Sequence, residues 1–302
     1  MARLLAPEDF GLFALALVLI YGIDSLTFVG IDHYLIQKKD IDKEVIGNAW
    51  FLNIIRGILL TLLILAVCPL YTRMVKEPAA LQVLWIVAFT PLLEGLKNPG
   101  SILAERDIRF GRVSIYETIS AVLEVVGVVV LVWIIRDAEA LAWGLLFGVF
   151  LKTILSYFFF SLPGMPRFDP VQQMQLLSVA KHFAVIAIGG LIMSQGDNLI
   201  ITVLQGKEQL GFYVIAYQLA EFPVMFLQEI ANRVAMPVFS SLQVDKERLR
   251  SVLYDVIQIQ LAIIIPFVVV VGIFASDFVI TLYGDEWTKS LANIPTTPQT
   301  KH

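Results

Sequence analysis

Eight stretches of this chain are long and apolar enough to cross a bilayer, and that decides the solvent in which it folds. A spanning helix needs ~20 mostly apolar residues. The candidates run at roughly 9–31, 45–70, 79–101, 113–135, 139–162, 177–205, 209–240 and 249–283. Charged residues are only 16% of the chain and mean hydropathy is +0.78, against about 25% charge in a typical soluble domain. In lipid, backbone polar groups must be satisfied within their own segment. The expected fold class is therefore all-α, a polytopic membrane protein of about eight transmembrane helices. Pro91, Pro223 and Pro266 fall inside spans and are expected to kink them. The last two spans exceed the bilayer thickness and are expected to tilt or to extend into the cytoplasm. The lone Cys68 is expected to pack as a small apolar side chain. Met1 to Asp9 is too short and polar for a cleavable signal. The small net charge of −4 gives no sign of nucleic-acid binding.

Within this apolar sequence lies an echo. Pro7-Glu8-Asp9-Phe10-Gly11-Leu12-Phe13 is matched 200 residues later by Lys207-Glu208-Gln209-Leu210-Gly211-Phe212-Tyr213, and Ile41-Asp42-Lys43-Glu44 is matched at an offset of 203 by Val244-Asp245-Lys246-Glu247. A nearly fixed offset is the mark of duplication, and membrane transporters are commonly built from repeated bundles. The shift is six helices, so the two copies are expected to run in parallel. The third to sixth spans have no second copy here, which points to a design of twelve or more helices cut at both ends. The expected domains are 1–162, a first lobe lacking its first helix; 163–176, a cytoplasmic linker; 177–287, the first three helices of a second lobe; and 288–302, a polar tail.

Orientation follows from Lys and Arg outside the spans. One side receives Arg3, Arg73, Lys76, Arg136, Lys207, Lys289 and Lys301. The other receives Lys38, Lys39, Lys43, Lys97, Arg106, Arg109, Arg112, Arg167, Lys181, Lys246, Arg248 and Arg250. The second side, with 12 against 7, is expected to be cytoplasmic. Trp133, Trp143 and Trp287 are expected to form an outer aromatic belt. Gly189 and Gly190 are expected to mark close helix packing.

Four further stretches resemble the bacterial polysaccharide flippases of the multidrug/oligosaccharidyl-lipid/polysaccharide exporter superfamily. They are Ala2-Arg3-Leu4-Leu5-Ala6-Pro7-Glu8-Asp9-Phe10-Gly11, Leu35-Ile36-Gln37-Lys38-Lys39-Asp40-Ile41, Glu105-Arg106-Asp107-Ile108-Arg109-Phe110, and Gly196-Asp197-Asn198-Leu199-Ile200-Ile201 followed by Leu210 to Tyr217. The resemblance implies a multi-pass protein of the bacterial inner membrane that moves undecaprenyl-pyrophosphate-linked oligosaccharide between leaflets by alternating access. Its implied partners are the lipid-linked oligosaccharide, membrane lipids, and the polysaccharide polymerase and chain-length components. Neither cofactor nor nucleic acid is implied; a proton or sodium ion is the expected coupling species.

Ionisable side chains at membrane depth are costly and are functional hypotheses by default. Arg56, Lys152, Glu124, Asp24 and Asp197 lie within spans. Asn53, Arg56 and Gly57 share one helical face; Glu117, Ser120, Ala121 and Glu124 form another polar stripe. Given the resemblance, Arg56 and Lys152 are the expected pyrophosphate ligands, with Asn53 beside them, and Glu124, Asp24 and Asp197 the candidates for the coupling ion. The alternative is a structural ion pair, Lys152–Glu124 or Arg56–Glu124. No metal-ligand spacing and no nucleophile–base pair is visible, so catalysis and a metal site are not expected. Two other functions remain: a drug/cation exporter of the same superfamily, whose cleft would be acidic, and an inactive fragment or scaffold of a glycan-assembly complex.

Overall fold

The computed structural model describes residues 4–26, 42–106, 110–230, 246–283, Leu35 and Trp287. The loops around Lys39, Arg109 and Val244, the tail 288–302 and the side chains of Lys181 and His182 lie outside the described residues. Among the described residues all regular structure is helical. The helices are α1 (Pro7–Leu26), α2 (Lys43–Met74), α3 (Ala80–Val87), α4 (Thr90–Gly95), α5 (Gly100–Arg106), α6 (Phe110–Ile135), α7 (Ala138–Phe159), α8 (Pro170–Gln205), α9 (Lys207–Ile230), α10 (Lys246–Ile273) and α11 (Ala275–Leu282). Residues 43–74, 111–135, 138–159 and 248–270 are long and apolar enough to cross a membrane. Echoed motifs open helices: Pro7 opens α1, Lys207 opens α9 and Lys43 opens α2.

The chain divides into two compact units, Arg3–Leu210 and Gly211–His302. In the first, α1 packs against α2, α3, α7 and α8. Their shared core holds Leu12, Ala16, Ile20, Ile64, Val83, Leu84 and Val87, with Cys68 fully buried among them. The outer valine-rich face of α6 (Val122, Val125, Val126, Val129, Val130) is exposed, as a lipid-facing surface requires. In the second unit α10 packs on α11, and Phe212 meets Trp287 edge to face at 5.8 Å.

Local chemistry sets the breaks. α6 and α7 form a hairpin whose turn is Arg136, at φ 57°, and Asp137, whose carboxylate caps α7 by accepting from the Ala138 N–H at 2.6 Å. Asp169 caps α8 by accepting from the Val171 N–H, with Pro170 in the first turn. Gly206, at φ 85°, makes the joint between α8 and α9 in a conformation open mainly to glycine.

Three expectations are corrected. The third span is not one kinked helix. It breaks at Ala88–Phe89 into α3 and α4, and Pro91 sits in the first turn of α4, where its missing N–H does no harm. Trp287 is 1% exposed and packed on Phe212, so it is a packing residue and does not belong to a lipid-facing belt; Trp133 and Trp143 are exposed. A Cβ on Gly189 or Gly190 would meet nothing within 4 Å. The close approaches occur elsewhere. A Cβ on Gly57 would lie 2.5 Å from the Pro91 carbonyl oxygen, one on Gly95 2.5 Å from that of Asn53, and one on Gly144 2.6 Å from Val128.

Candidate functional site

Arg56 projects from the middle of α2 towards α1, held there because the Asn53–Gly57 face of α2 lies backbone-close to α4. Its Nη2 donates to the Asp24 carboxylate at 2.6 Å and to the Asp24 carbonyl at 3.0 Å. The polar stripe of α6 faces α7. Lys152 Nζ pairs with Glu117 at 2.6 Å, and the Tyr116 hydroxyl donates to the Lys152 carbonyl at 2.9 Å. Glu124, two turns farther along the stripe from Glu117, lies against α7 where Gly148 leaves room; a Cβ there would be 2.5 Å from Glu124 Cγ.

The ion pairs therefore differ from those expected. Arg56 takes Asp24 and Lys152 takes Glu117, while Glu124 makes no ion pair among the described residues. The reason is register. Lys152 and Glu117 come level across the antiparallel α6–α7 hairpin, whereas Glu124 comes level with Gly148. Both pairs remain reachable: the side chains are 22% and 34% exposed for Arg56 and Asp24, and 37% and 43% for Lys152 and Glu117.

Glu94 on α4 joins the two pairs. It lies within electrostatic range of Asp24, Arg56, Lys97 and Lys152, and Tyr21 lies within range of Asp24, Glu94 and Glu124. The residues from α1, α2, α4, α6 and α7 thus make one charged neighbourhood inside an otherwise apolar bundle. Asn53 contributes its backbone carbonyl to the α2–α4 contact. Asp197 on α8 accepts locally from the Asn198 N–H at 2.8 Å.

Two polar hubs fix this frame. Asn48, buried at the start of α2, donates to Gln172 Oε1 at 3.0 Å and to the Glu44 carbonyl at 2.9 Å, and its Oδ1 accepts from the Asp169 N–H at 2.7 Å. With Gln173 donating to the Asn48 carbonyl and Arg167 pairing with Glu44 at 2.9 Å, the segment 161–169 is tied to α2. Asn98, fully buried, donates to the carbonyls of Ser156 and Phe160 and so satisfies the C-terminal end of α7. At the opposite end Lys207 reaches Glu8 at 3.2 Å and Glu77 at 3.5 Å. Burial alone would lower its pKa, but the two carboxylates more than offset this and raise it above the usual lysine value.

A family model described as polysaccharide biosynthesis protein matches residues 1–292. The chain belongs to that family. Among the family's curated relatives, the lipopolysaccharide biosynthesis protein WzxC of Escherichia coli (strain K12) is 26% identical over 95% of this chain and 59% of its own length. The teichuronic acid biosynthesis protein TuaB of Bacillus subtilis (strain 168) is 25% identical over 88% of this chain and 55% of its own. The succinoglycan biosynthesis transport protein ExoT of Rhizobium meliloti (strain 1021) is 23% identical over 95% and 58%. The chain spans less than two thirds of the length of each of these relatives. No solved structure matches it.

Within this family frame, sequence reasoning missed Glu94 and the two asparagine hubs. The signal for Glu94 was present, since it is a carboxylate inside the third apolar run. Asn48 and Asn98 sit at helix ends, where a polar residue raises no alarm until burial is known.

Proposed function

We propose that the chain serves the translocation of lipid-linked oligosaccharide, an undecaprenyl-pyrophosphate glycan, across the bacterial inner membrane, as part of a two-lobed carrier working by alternating access. The observation that carries this reading is the pair of reachable cations, Arg56 and Lys152, inside the apolar bundle of a polysaccharide biosynthesis family member. A diphosphate is the natural ligand of such cations, and Arg adds bidentate hydrogen bonding. Asn53 lies on the same helix face. Glu124, Asp24 and Asp197 supply the carboxylates for a coupling proton or sodium ion. The polymerase and chain-length components of the same pathway are the protein partners of this reading, and the 12-to-7 Lys/Arg bias sets its orientation.

The test is capture of the lipid in bacterial membranes. The chain, carrying a photo-crosslinking residue at position 53, is expected to recover lipid-linked diphosphate glycan. Arg56→Ala and Lys152→Ala are expected to lose most of it, at unchanged abundance in the membrane. Equal recovery from the substituted and unsubstituted chains would reject the reading.

A further inference from the structure

The two ion pairs pose a question about the unloaded carrier. A bare Arg or Lys at a helix centre costs ~2.5–3.5 kcal/mol on insertion scales, so a site built to take an anion must hold something else before the anion arrives. Here each cation already holds one carboxylate at 2.6 Å, Asp24 for Arg56 and Glu117 for Lys152. A carboxylate offers a guanidinium or ammonium the same charged oxygen acceptors that a phosphate does. Resting on the function proposed above, we propose that Asp24 and Glu117 are internal stand-ins for the substrate's diphosphate: they neutralise Arg56 and Lys152 in the empty carrier and yield them when the diphosphate binds.

Two observations favour exchange over a purely structural role. First, all four side chains are between 22% and 43% exposed, so an incoming anion can reach them. Second, α6 and α7 are already held by close packing that does not need the Lys152–Glu117 pair, through Gly127, Gly144 and Gly148.

The experiment uses the purified 302-residue chain in lipid nanodiscs, with farnesyl diphosphate as probe and farnesol as the control lacking phosphate. Removing a competitor tightens binding. Asp24→Asn and Glu117→Gln are each expected to raise affinity for farnesyl diphosphate roughly two- to fivefold, the range set by a partly exposed ion pair. Farnesol binding is expected not to change. Asp24→Glu, which keeps the pair, is expected to bind like the unsubstituted chain. Arg56→Ala and Lys152→Ala are expected to weaken binding. On the unsubstituted chain, carbon-13 carboxyl resonances of Asp24 and Glu117 are expected to shift on saturation with farnesyl diphosphate, which needs no substitution to fold. Unchanged or weaker binding in folded Asp24→Asn and Glu117→Gln, or carboxyl resonances that do not move, overturns the stand-in role. If that happens while Arg56→Ala and Lys152→Ala still weaken binding, the proposed function survives. Unchanged binding in the two cation variants removes both.

Discussion

At the scale of single residues, the glycines divide into two physical kinds. Gly57 and Gly95 occupy reciprocal contacts where any side chain would run into a neighbouring backbone carbonyl, whereas Gly189 and Gly190 face open space among the described residues. Gly57→Leu and Gly95→Leu are each expected to destabilise the first unit by about 1–3 kcal/mol through overpacking. Gly189→Leu and Gly190→Leu are expected to stay within about 0.5 kcal/mol. Thermal unfolding in detergent separates the two groups, and equal effects would refute the distinction. The same contrast shows what a sequence can carry. Arg56 and Lys152 stand out in apolar runs because charge there is rare. Which carboxylate each one holds does not, because pairing depends on which turns of two helices come level. A glycine pair such as Gly189-Gly190 looks like a packing motif, but only the neighbouring helix decides whether it is one.

Elements are joined here by polar ties that apolar periodicity does not record. The eight runs mark where helices lie, apart from the third, where Pro91 begins a new helix instead of bending an old one. Residues 163–176 read as an inter-lobe linker, yet 161–169 is bound along α2 through Asn48. Asn48→Ala is expected to leave the Asp169 N–H and the Gln172 Oε1 short of partners, at about 1–3 kcal/mol. Limited proteolysis should then cut within 161–169 faster than in the unsubstituted chain; an unchanged cleavage rate would argue against the tie. At the other end, Lys207 links the start of α9 to Glu8 on α1 and to Glu77 before α3. Its folded pKa is raised above 10.5, so its stabilisation is fully present below pH 10.5 and is lost as pH rises through the folded value. Lys207→Met is expected to lower the unfolding temperature at pH 8, and the difference from the unsubstituted chain should close as pH rises through the raised folded value. A gap that persists at high pH would show that the contribution is packing and not charge.

For the molecule as a whole, Pro7 and Lys207 each open a helix, α1 and α9. Composition was sufficient for the membrane class, because 16% charge leaves too little polar surface for a soluble fold of this size. Orientation rests on a global count. After replacement of Cys68, single cysteines at Arg136 and Lys207 should react with an impermeant thiol reagent in intact cells, and cysteines at Lys39 and Arg250 should not. Reaction at position 39 would invert the topology.

Both ion pairs, partly exposed, join helices near one another in the sequence, Asp24 and Arg56 on α1 and α2, Glu117 and Lys152 on α6 and α7. The chain therefore need never present a lone charge to the lipid as it is made. Each hairpin can leave the insertion machinery with its acid and base already matched, before any distant helix has been synthesised. On this account Arg56 and Lys152 need no help from later segments to enter the bilayer, and a hairpin expressed alone inserts better with its pair than with either member replaced by alanine.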